Sequence, residues 1–346
     1  MHIVHYCPTA YPIPPVGYGG TERVVYWLIR AQIAQGLRVS LIANAASGIE
    51  HAVPGAKLIP CDRDTPLAQV IPRDCDVVHL HRMPPDPEAI AVPYLITEHG
   101  NRGPDARLLT NTVFVSESHA RLHGRRCFVR NGVPADDYRY SEEKDRYLLF
   151  LARMEWPHKN ARTAMDLALD LDLPLKMSGK YSPWLRPGVW GHWCRHPIKT
   201  QRLVQRLGYV DGAIKLDLLA RAPVLFHAVN WHEPAGLVVL EAMASGTPVL
   251  CTPNGALPEF VQHGETGWLV DSYAAAREAV REALAFSPQQ RRQWARRCRE
   301  RVSRVEDMAR GYLALYERVL RGERLSTADE RRPAHPRPVV SVRKTR

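Results

Sequence analysis

The sequence predicts an α/β protein of two domains, and three observations lead to this expectation. The chain has 346 residues, 45% of them hydrophobic, which is enough for two ordinary domains with a core each. Short apolar runs rich in β-branched residues alternate with helical patterns from end to end. A polar stretch at 134–146 divides this alternation into two series. Buried parallel strands joined by crossover helices produce such a pattern.

The first series begins at the amino terminus. The run 3–6 predicts a strand, and the helical pattern at 21–35 ends before Gly36, a residue suited to terminate a helix. The other strands of this series are predicted at 38–43, 57–59, 77–80, 94–97, 113–116 and 127–129. We expect the first domain to comprise residues 1–138.

The second series follows the polar stretch, which we interpret as an interdomain linker. Its strands are predicted at 147–151, 175–177, 222–226, 248–251 and 268–270, and its helices at 160–171, 236–244 and 273–285. The region 289–320 is predicted to be wholly helical. We expect a second domain at 146–305, a terminal helix at 306–322 and a disordered basic tail at 323–346.

Charge and cysteine content indicate the setting of the protein. The formal net charge is +11, and residues 286–346 hold 17 Lys and Arg against 7 Asp and Glu. A solvated helix face and a basic tail explain this excess of positive charge, and attraction to acidic lipid headgroups is the more specific alternative. The chain has no signal-peptide pattern, no run of about 18 apolar residues and no nucleic-acid motif. With seven scattered cysteines, we expect a cytoplasmic protein that is at most peripheral at a membrane.

Two groups of residues could bind phosphate. Gly19 and Gly20 precede the first helix, where backbone amides can approach an anion, although a purely structural turn is equally compatible. Neither the dinucleotide fingerprint nor a Walker motif is complete at this turn. Arg153 ends the first strand of the second series, and Lys159 follows it. Together they could neutralise a diphosphate, although two solvated cations would give the same pattern.

A pair of carboxylates is the strongest signal in the chain. Glu233 precedes a predicted helix, and Glu241 lies inside it among apolar neighbours. A carboxylate in such a run needs hydrogen-bond donors, which ribose hydroxyls would supply. The amides of Gly236 and Leu237 lie in the first turn, where they can face a ligand anion. Taken alone, the spacing also fits a helix-start glutamate and a surface glutamate.

His99 follows a predicted strand, within the polar segment 96–101. Strand ends are where reacting groups sit in α/β proteins, although a lone histidine is more often structural. The histidines and cysteine at 192–196 have no second ligand pair at suitable spacing, so we expect no metal. The serines at 116 and 118 lack a Gly-x-Ser-x-Gly elbow, which argues against a nucleophilic serine.

Taken in order, these motifs resemble retaining glycosyltransferase family 4, which has the GT-B fold of two Rossmann-like α/β domains facing a central cleft. The resemblance covers about residues 1–322. It is carried by Gly-Gly-Thr-Glu at 19–22, Glu-His-Gly at 98–100, Asn-Gly-Val at 131–133, Arg153 with Lys159, and the blocks 233–248, 254–259 and 264–270. The segment 181–206 and the chain after 322 match no motif of the family.

The resemblance implies a role for each candidate residue. The first domain would be the acceptor side and the second would bind the donor. The donor diphosphate would be held by Gly19, Gly20, Arg153 and Lys159. The ribose would be bound by Glu241, the base would be bordered by Tyr209 and Val210, and the sugar or phosphate would meet the amides of Gly236 and Leu237. The catalytic pair would be His99, near the reacting centre, and Glu233, at the donor-sugar hydroxyls.

The expected activity is therefore transfer of a sugar, with retention of configuration, from a nucleotide-diphosphate sugar to an acceptor hydroxyl. The donor would be linked to UDP or GDP, and the acceptor would be a sugar, a lipid-linked glycan or a small molecule. No metal or other cofactor is expected. Two alternatives stay open: a nucleotide-sugar 2-epimerase of the same fold, and a non-catalytic nucleotide-sugar-binding protein. A dehydrogenase is disfavoured by the incomplete glycine fingerprint.

Overall fold

The computed structural model describes residues 1–103, 106–180, 196–325 and 338–344. Contacts within it divide the chain into two compact units, Met1–Pro134 with Ser303–Pro336 and Ala135–Val302 with Arg337–Arg346. Each unit contains a six-stranded sheet whose strand pairs are parallel. The predicted α/β class is thus confirmed.

In the sheet of the first unit, the strand order changes direction at the centre, and this position is the topological switch point of the sheet. The strands are β1 (His2–Cys7), β2 (Arg38–Ala43), β3 (Lys57–Pro60), β4 (Val77–Leu80), β5 (Tyr94–Glu98) and β6 (Thr112–Phe114), in the order β3-β2-β1-β4-β5-β6. The helices that accompany them are α1 (Gly20–Ala34), α2 (Ile49–Ala52), α3 (Leu67–Val70) and α4 (Glu117–Leu122). The chain builds outward to β3 and then restarts beside β1, so ligands are expected beyond the ends of β1 and β4.

The second unit repeats this plan. Its strands are β7 (Leu148–Leu151), β8 (Leu175–Ser178), β9 (Val204–Arg206), β10 (Val224–His227), β11 (Val249–Cys251) and β12 (Gly267–Leu269), in the order β12-β11-β10-β7-β8-β9. Its helices are α5 (Ala161–Asp170), α6 (Pro197–Leu203), α7 (Gly212–Arg221), α8 (Leu237–Ala244), α9 (Leu257–Phe260), α10 (Tyr273–Ala285) and α11 (Pro288–Arg301). The switch point lies between β7 and β10.

Two predicted elements need correction. The expected strand at 127–129 is only an isolated bridge between Phe128 and Phe114, because the segment meets β6 at a single residue at the sheet edge. The expected continuous helix at 289–320 is two helices, α11 and α12 (Val305–Leu320). The chain between them is extended because Val133 donates to the carbonyl of Ser303 at 2.9 Å and accepts from the amide of Val305 at 3.0 Å.

Gly132 allows its segment to lie close against the chain between α11 and α12. A Cβ atom at this position would lie 2.1 Å from the carbonyl oxygen of Arg304, closer than any side chain permits. The Asn-Gly-Val motif at 131–133 therefore has a packing role where the chain enters α12. On the first unit, α12 places Tyr312 and Tyr316 against the sheet, where Tyr316 hydrogen-bonds to Gln32 of α1.

Part of the expected disordered tail is ordered. Val342 is fully buried in the core of the second unit, and its carbonyl accepts hydrogen bonds from Asn160 and Thr163 at 3.0 Å each. The side chain of Asn254 pairs with both backbone groups of Val340, at 2.8 and 2.9 Å. The expectation of disorder is therefore wrong for 338–344, which we name the C-terminal strap. Residues 326–337 and 345–346 lie outside the described part, as does most of the rejected metal cluster at 192–196.

Candidate functional site

The candidate site of the second unit lies around its switch point. The loop after β7 carries Arg153 and Lys159, and the loop after β10 carries Glu233. These two strands are neighbours although they are far apart in sequence, and both loops leave from the carboxyl edge of the sheet. The fold therefore gathers the predicted donor-binding residues where a parallel sheet exposes its loops.

Glu233 is the centre of this cluster. Its Oε2 atom lies 2.8 Å from Lys159 Nζ, 2.8 Å from Trp231 Nε1 and 3.5 Å from His227 Nε2. Only 8% of the residue is exposed. Burial, the largest single influence, would raise the pKa of Glu233, but Lys159 and His227 together outweigh it and hold the pKa well below its usual range. Glu233 is thus an ionised carboxylate fixed by two donors.

Aromatic rings hold the two predicted cations. Lys159 Nζ lies 4.7 Å from the centroid of the Trp231 ring, and the Arg153 guanidinium lies 4.6 Å from that of Trp156. Arg153 also donates to Glu155 at 2.8 Å. Lys159 and Glu233 are therefore brought together, whereas the hydrogen bond of Arg153 goes to a different carboxylate. Sequence reasoning missed Trp231 and Trp156, which stand next to the motif residues.

The backbone of Glu233 rests on the loop that precedes α9. A Cβ atom at Gly255 would lie 2.3 Å from the carbonyl oxygen of Glu233, and the amide of Ala256 donates to that same oxygen at 2.8 Å. Gly236 has φ of 66°, which suits glycine, and directly precedes α8. Leu237 and Val238 open α8 and have no acceptor one turn earlier in the helix, whereas the amides of Val239 and Leu240 donate to the carbonyl of Gly236. The Asn-Gly motif at 254–255 therefore supports the Glu233 loop.

Glu241 is buried and paired within the protein. Its Oε1 atom accepts hydrogen bonds from Tyr138 Oη at 2.9 Å and from Lys215 Nζ at 2.6 Å. Only 3% of the residue is exposed. The sequence correctly indicated that this carboxylate needs partners, but it did not identify them. Tyr138 lies at the end of the predicted first domain, and Lys215 lies on α7, which was not predicted.

The turn at Tyr209 and Val210 is fastened to the end of β8. Ser178 Oγ donates to the carbonyl of Gly208 at 2.8 Å and accepts from the amide of Val210 at 3.2 Å. Tyr209 is 47% exposed. Ser178 was missed because a serine at the end of a strand carries no distinctive sequence signal.

In the first unit, Gly19 and Gly20 form the start of α1. Gly19 has φ of 149°, and a Cβ atom there would lie 2.6 Å from the Cβ atom of Pro15, so the position requires glycine. His99 follows β5 and is half-buried. Its Nε2 atom lies 2.9 Å from His81 Nδ1, and burial lowers the pKa of His99 to about 4. His99 is therefore neutral near pH 7.

Three buried histidines of this unit, His5, His79 and His81, lie close enough together to be considered as a metal site. Every ring nitrogen of the three, however, has a hydrogen-bond partner in the protein at 2.7–2.9 Å. A metal ion would have to break several of these bonds, so the donor set fits a hydrogen-bond network better. Among the described residues, no helix is both long and apolar enough to cross a membrane.

Comparison with known proteins shows what the chain is similar to. Residues 139–301 match the family described as "Glycosyl transferases group 1". Phosphatidyl-myo-inositol mannosyltransferase of Mycobacterium tuberculosis is 26% identical over 327 residues, which cover 78% of this chain and 82% of that protein. The second unit, which contains this match, is similar to the group 1 glycosyltransferases. The protein is an enzyme that transfers a sugar from a nucleotide sugar.

Other similar proteins support the same family. D-inositol 3-phosphate glycosyltransferase of Corynebacterium glutamicum is 38% identical over 93 residues, which cover 26% of this chain and 22% of the relative. The crystal structure of a glycosyltransferase involved in avilamycin A biosynthesis has a TM-score of 0.73 at 25% identity, covering 93% of this chain and 98% of the other. HepE of Anabaena, solved with UDP-glucose, has a TM-score of 0.69 at 17% identity, covering 92% and 100%, and shows the shared fold.

Proposed function

We propose that this glycosyltransferase moves a hexose from a UDP- or GDP-linked donor to an acceptor hydroxyl, with retention of configuration and without a metal. The observation that carries the proposal is the Lys159–Glu233 ion pair beside the α8 amino terminus. It combines a cation for a diphosphate with an ionised carboxylate for sugar hydroxyls. Both side chains are nearly buried, at 13% and 9% exposure, so their contacts with a ligand would be strong.

The diphosphate would bind to cations and amides. In this proposal Arg153 and Lys159 approach the phosphate oxygens, and the first amides of α8 add partial positive charge. In the first unit, Gly19 and Gly20 would offer the same chemistry at the start of α1. These groups replace the charge neutralisation that other transferases obtain from a divalent ion. The pairing of Lys159 with Glu233 would keep the ammonium in place before the donor arrives.

The nucleoside would bind along β8 and α8. Glu241 uses Oε1 for its two protein partners, so Oε2 would accept hydrogen bonds from the ribose hydroxyls. Tyr209 and Val210 would border the base, on the turn that Ser178 holds. Glu233 would bind hydroxyls of the transferred sugar, and His99 would lie near the reacting centre.

The reaction would proceed on one face of the sugar. The bond between the anomeric carbon and the diphosphate oxygen breaks while the acceptor oxygen bonds to the same carbon from the leaving-group side. The acceptor proton passes to a phosphate oxygen of the departing nucleotide. The cations and helix amides stabilise the charge that develops on the diphosphate. Glu233 and His99 hold the sugar during transfer.

The acceptor would be a sugar, a lipid-linked molecule or a small polyol. The mycobacterial relative is named for phosphatidyl-myo-inositol and the corynebacterial one for D-inositol 3-phosphate, which are both hydroxyl-bearing acceptors. The arginines of α11 and the basic residues beyond it would favour peripheral contact with an acidic membrane from the cytoplasm. This basic surface is the reason to include anionic lipids in acceptor assays.

A binding screen followed by product analysis tests the proposal. Thermal stability of the wild-type chain is measured with UDP-, GDP- and ADP-sugars, in EDTA and with added magnesium. Mass analysis then follows the shifted donors with and without a panel of acceptors. We expect a shift in EDTA and a glycosylated acceptor with the anomeric configuration of the donor. Conversion of the donor without acceptor would indicate an epimerase, binding without turnover on any acceptor would indicate a binding protein, and either would overturn the proposal.

A further inference from the structure

A row of histidines in the first unit leads from His99 into the core. His99 Nε2 lies 2.9 Å from His81 Nδ1, and His81 Nε2 lies 2.9 Å from His5 Nδ1. His5 Nε2 lies 2.7 Å from the side-chain oxygen of Gln32 on α1. Gln32, His5 and His81 are buried, and His99 is half-buried. The row therefore connects the candidate reacting centre to a fully buried carboxamide.

Strand alternation explains why these side chains meet. His5 of β1 pairs with His79 of β4, and His81 stands two residues beyond His79, so all three point to the same face of the sheet. This face is covered by α1 and α12, which contribute Gln32 and Tyr316. The row is thus built into the central strands and does not depend on a loop.

The protonation states of the row are linked. Burial lowers the pKa of His5 and of His99 to about 4, and that of His81 well below its usual value. All three imidazoles are therefore neutral near pH 7. A neutral imidazole has one N–H donor and one acceptor nitrogen. The direction of one hydrogen bond in the row consequently fixes the direction of the next.

Gln32 sets this direction. Its oxygen faces His5, so His5 donates from Nε2 and its Nδ1 must accept. His81 then donates from Nε2 to His5, and His99 donates from Nε2 to His81. The Nδ1 atom of His99 keeps its lone pair. In the described ranges, no protein group hydrogen-bonds to that atom.

A second set of hydrogen bonds, which also starts at Gln32, forms a branch that opposes reversal of the donor and acceptor directions in the row. The amide nitrogen of Gln32 donates to Tyr316 Oη at 2.9 Å, and that hydroxyl lies 2.7 Å from His79 Nδ1. His79 Nε2 lies 2.7 Å from Thr97 Oγ1. Turning the Gln32 carboxamide over would therefore require protons to move in both branches at once. The two branches together favour one arrangement.

We propose that His5 and His81 are positioning residues that hold His99 as the Nε2–H tautomer, so that its Nδ1 atom accepts a hydrogen bond from a hydroxyl of the bound sugar. This inference rests on the proposed function, in which His99 lies near the reacting centre. The opposite tautomer would present an N–H group at Nδ1, which could not accept that bond. The row thus decides whether His99 acts as an acceptor or a donor toward the substrate.

Nitrogen-15 NMR of the histidine side chains tests the tautomer directly. The chain has 15 histidines, so the signals of His99 are assigned as those lost in His99→Asn. We expect the wild-type full-length chain at pH 7.5 to show His99 and His81 as Nε2–H tautomers. An Nδ1–H tautomer at His99, an even mixture, or stoichiometric zinc bound by these histidines in the purified protein would overturn the proposal. The tautomer is measured on the wild-type chain, and His99→Asn serves only to assign the signals.

Two substitutions at His5 test the positioning role, since His5 does not touch His99. His5→Asn keeps an acceptor oxygen near the Nδ1 position, whereas His5→Leu removes it. We expect His5→Leu to lower kcat/KM roughly fivefold to tenfold and to mix the tautomers of His99, and His5→Asn to restore most of both. Equal losses in both variants with an unchanged His99 tautomer would mean that His5 is only structural.

One further variant separates this inference from the proposed function. If wild-type His99 has the expected tautomer and His99→Ala nevertheless transfers sugar at the wild-type rate, the row stands as structure and the role of His99 at the sugar fails. If His99→Ala abolishes transfer while the wild-type tautomer is Nδ1–H, the proposed function stands and the positioning row fails.

Discussion

Lys215 Nζ lies 2.6 Å from Oε1 of Glu241, and Tyr138 Oη donates to the same oxygen at 2.9 Å. Glu241 is the residue that we propose for the ribose, so its orientation depends on these partners. Removing the Lys215 ammonium would leave a carboxylate of 3% exposure with a single donor. Unpaired buried charge is costly, which makes this pair a sensitive point of the second unit.

We expect Lys215→Met to lower the free energy of unfolding by about 2–4 kcal/mol and to weaken nucleotide-sugar binding. Tyr138→Phe should cost about 1 kcal/mol, because one hydrogen bond is lost and a charge partner stays. The measurements are urea unfolding and calorimetric titration with the donor. Lys215→Met/Glu241→Gln is the control, since it removes both charges. Recovery of stability without recovery of donor binding would agree with the ribose role, whereas recovery of both would contradict it.

The Lys159–Glu233 pair allows the phosphate and sugar roles to be separated. Glu233→Gln keeps the size of the side chain and removes its charge beside the proposed diphosphate. We expect affinity for the free nucleoside diphosphate to be unchanged or higher, and transfer to fall by roughly 10²-fold or more. Lys159→Met should instead weaken binding of the free nucleoside diphosphate roughly tenfold. Binding titrations and steady-state kinetics supply both quantities.

Trp231→Phe is the matched control for this pair. It removes the indole N–H that donates to Glu233 but keeps a ring beside Lys159. We expect a smaller loss of transfer than in Glu233→Gln, with nucleoside diphosphate affinity unchanged. A loss of diphosphate affinity in Glu233→Gln equal to that in Lys159→Met would show that the pair acts only as a structural unit.

The buried histidines should make the first unit sensitive to acid. In the unfolded chain they take up protons near their usual pKa of 6.5, whereas the folded protein keeps His5 and His99 neutral down to about 4. The unfolded state therefore binds more protons between these values. The contribution of His5 and His99 to the free energy of unfolding is complete above pH 6.5 and is lost as the pH falls toward 4.

Each such histidine should reduce the free energy of unfolding by up to about 1.4 kcal/mol per pH unit within that window. Urea unfolding of the full chain at pH 7.5, 6.5 and 5.5 measures the slope against the window that the pKa values define. His5→Asn should make the slope shallower by up to about 1.4 kcal/mol per pH unit, because one buried neutral histidine is removed. Equal slopes in the wild type and in His5→Asn would contradict the burial of a neutral His5.

The sequence predicted what depends on local pattern. Alternating apolar runs predicted the two sheets, and the motif around Glu233 led to the glycosyltransferase family. The partners of Glu241 could not be predicted, because Tyr138 is 103 residues away and only folding brings the two together. The family motif fixes which residues are present, whereas the hydrogen bonds depend on where separate elements meet.

The spacing of the histidines in the sequence already indicates the histidine row. His79 stands on the predicted strand 77–80 and His81 just beyond its end, and Thr97 and His99 are likewise two apart at the end of the next strand. Period-two alternation places each pair on one face of its strand, so a polar row within the sheet could have been inferred. The C-terminal strap could not, because its apolar stretch at 338–342 is only five residues long and is flanked by basic and proline-rich sequence.

The C-terminal strap connects the end of the chain to the donor loops, and this leads to a final prediction. Asn160 directly follows Lys159, and Asn254 belongs to the loop that supports the Glu233 backbone. The strap binds both asparagines through Val340 and Val342. Undocking it would leave their side-chain groups without these backbone partners and would open a gap in the core beneath α5. We therefore expect the strap to affect donor binding as well as stability.

The strap can detach while the rest of the protein stays folded. A substitution within the strap therefore cannot lower the free energy of unfolding by more than the free energy with which the strap docks. Val342→Asp and deletion of 338–346 should consequently lower the free energy of unfolding by the same amount, on the order of 2 kcal/mol, and should weaken donor binding equally. Lys344→Ala serves as control, because its exposed pair with Asp170 should contribute less than about 1 kcal/mol. Urea unfolding and donor titration of the full-length and shortened chains measure these changes. A deletion that destabilises the protein but leaves donor affinity intact would limit the strap to packing, and a deletion without effect on either would show that it does not dock in solution.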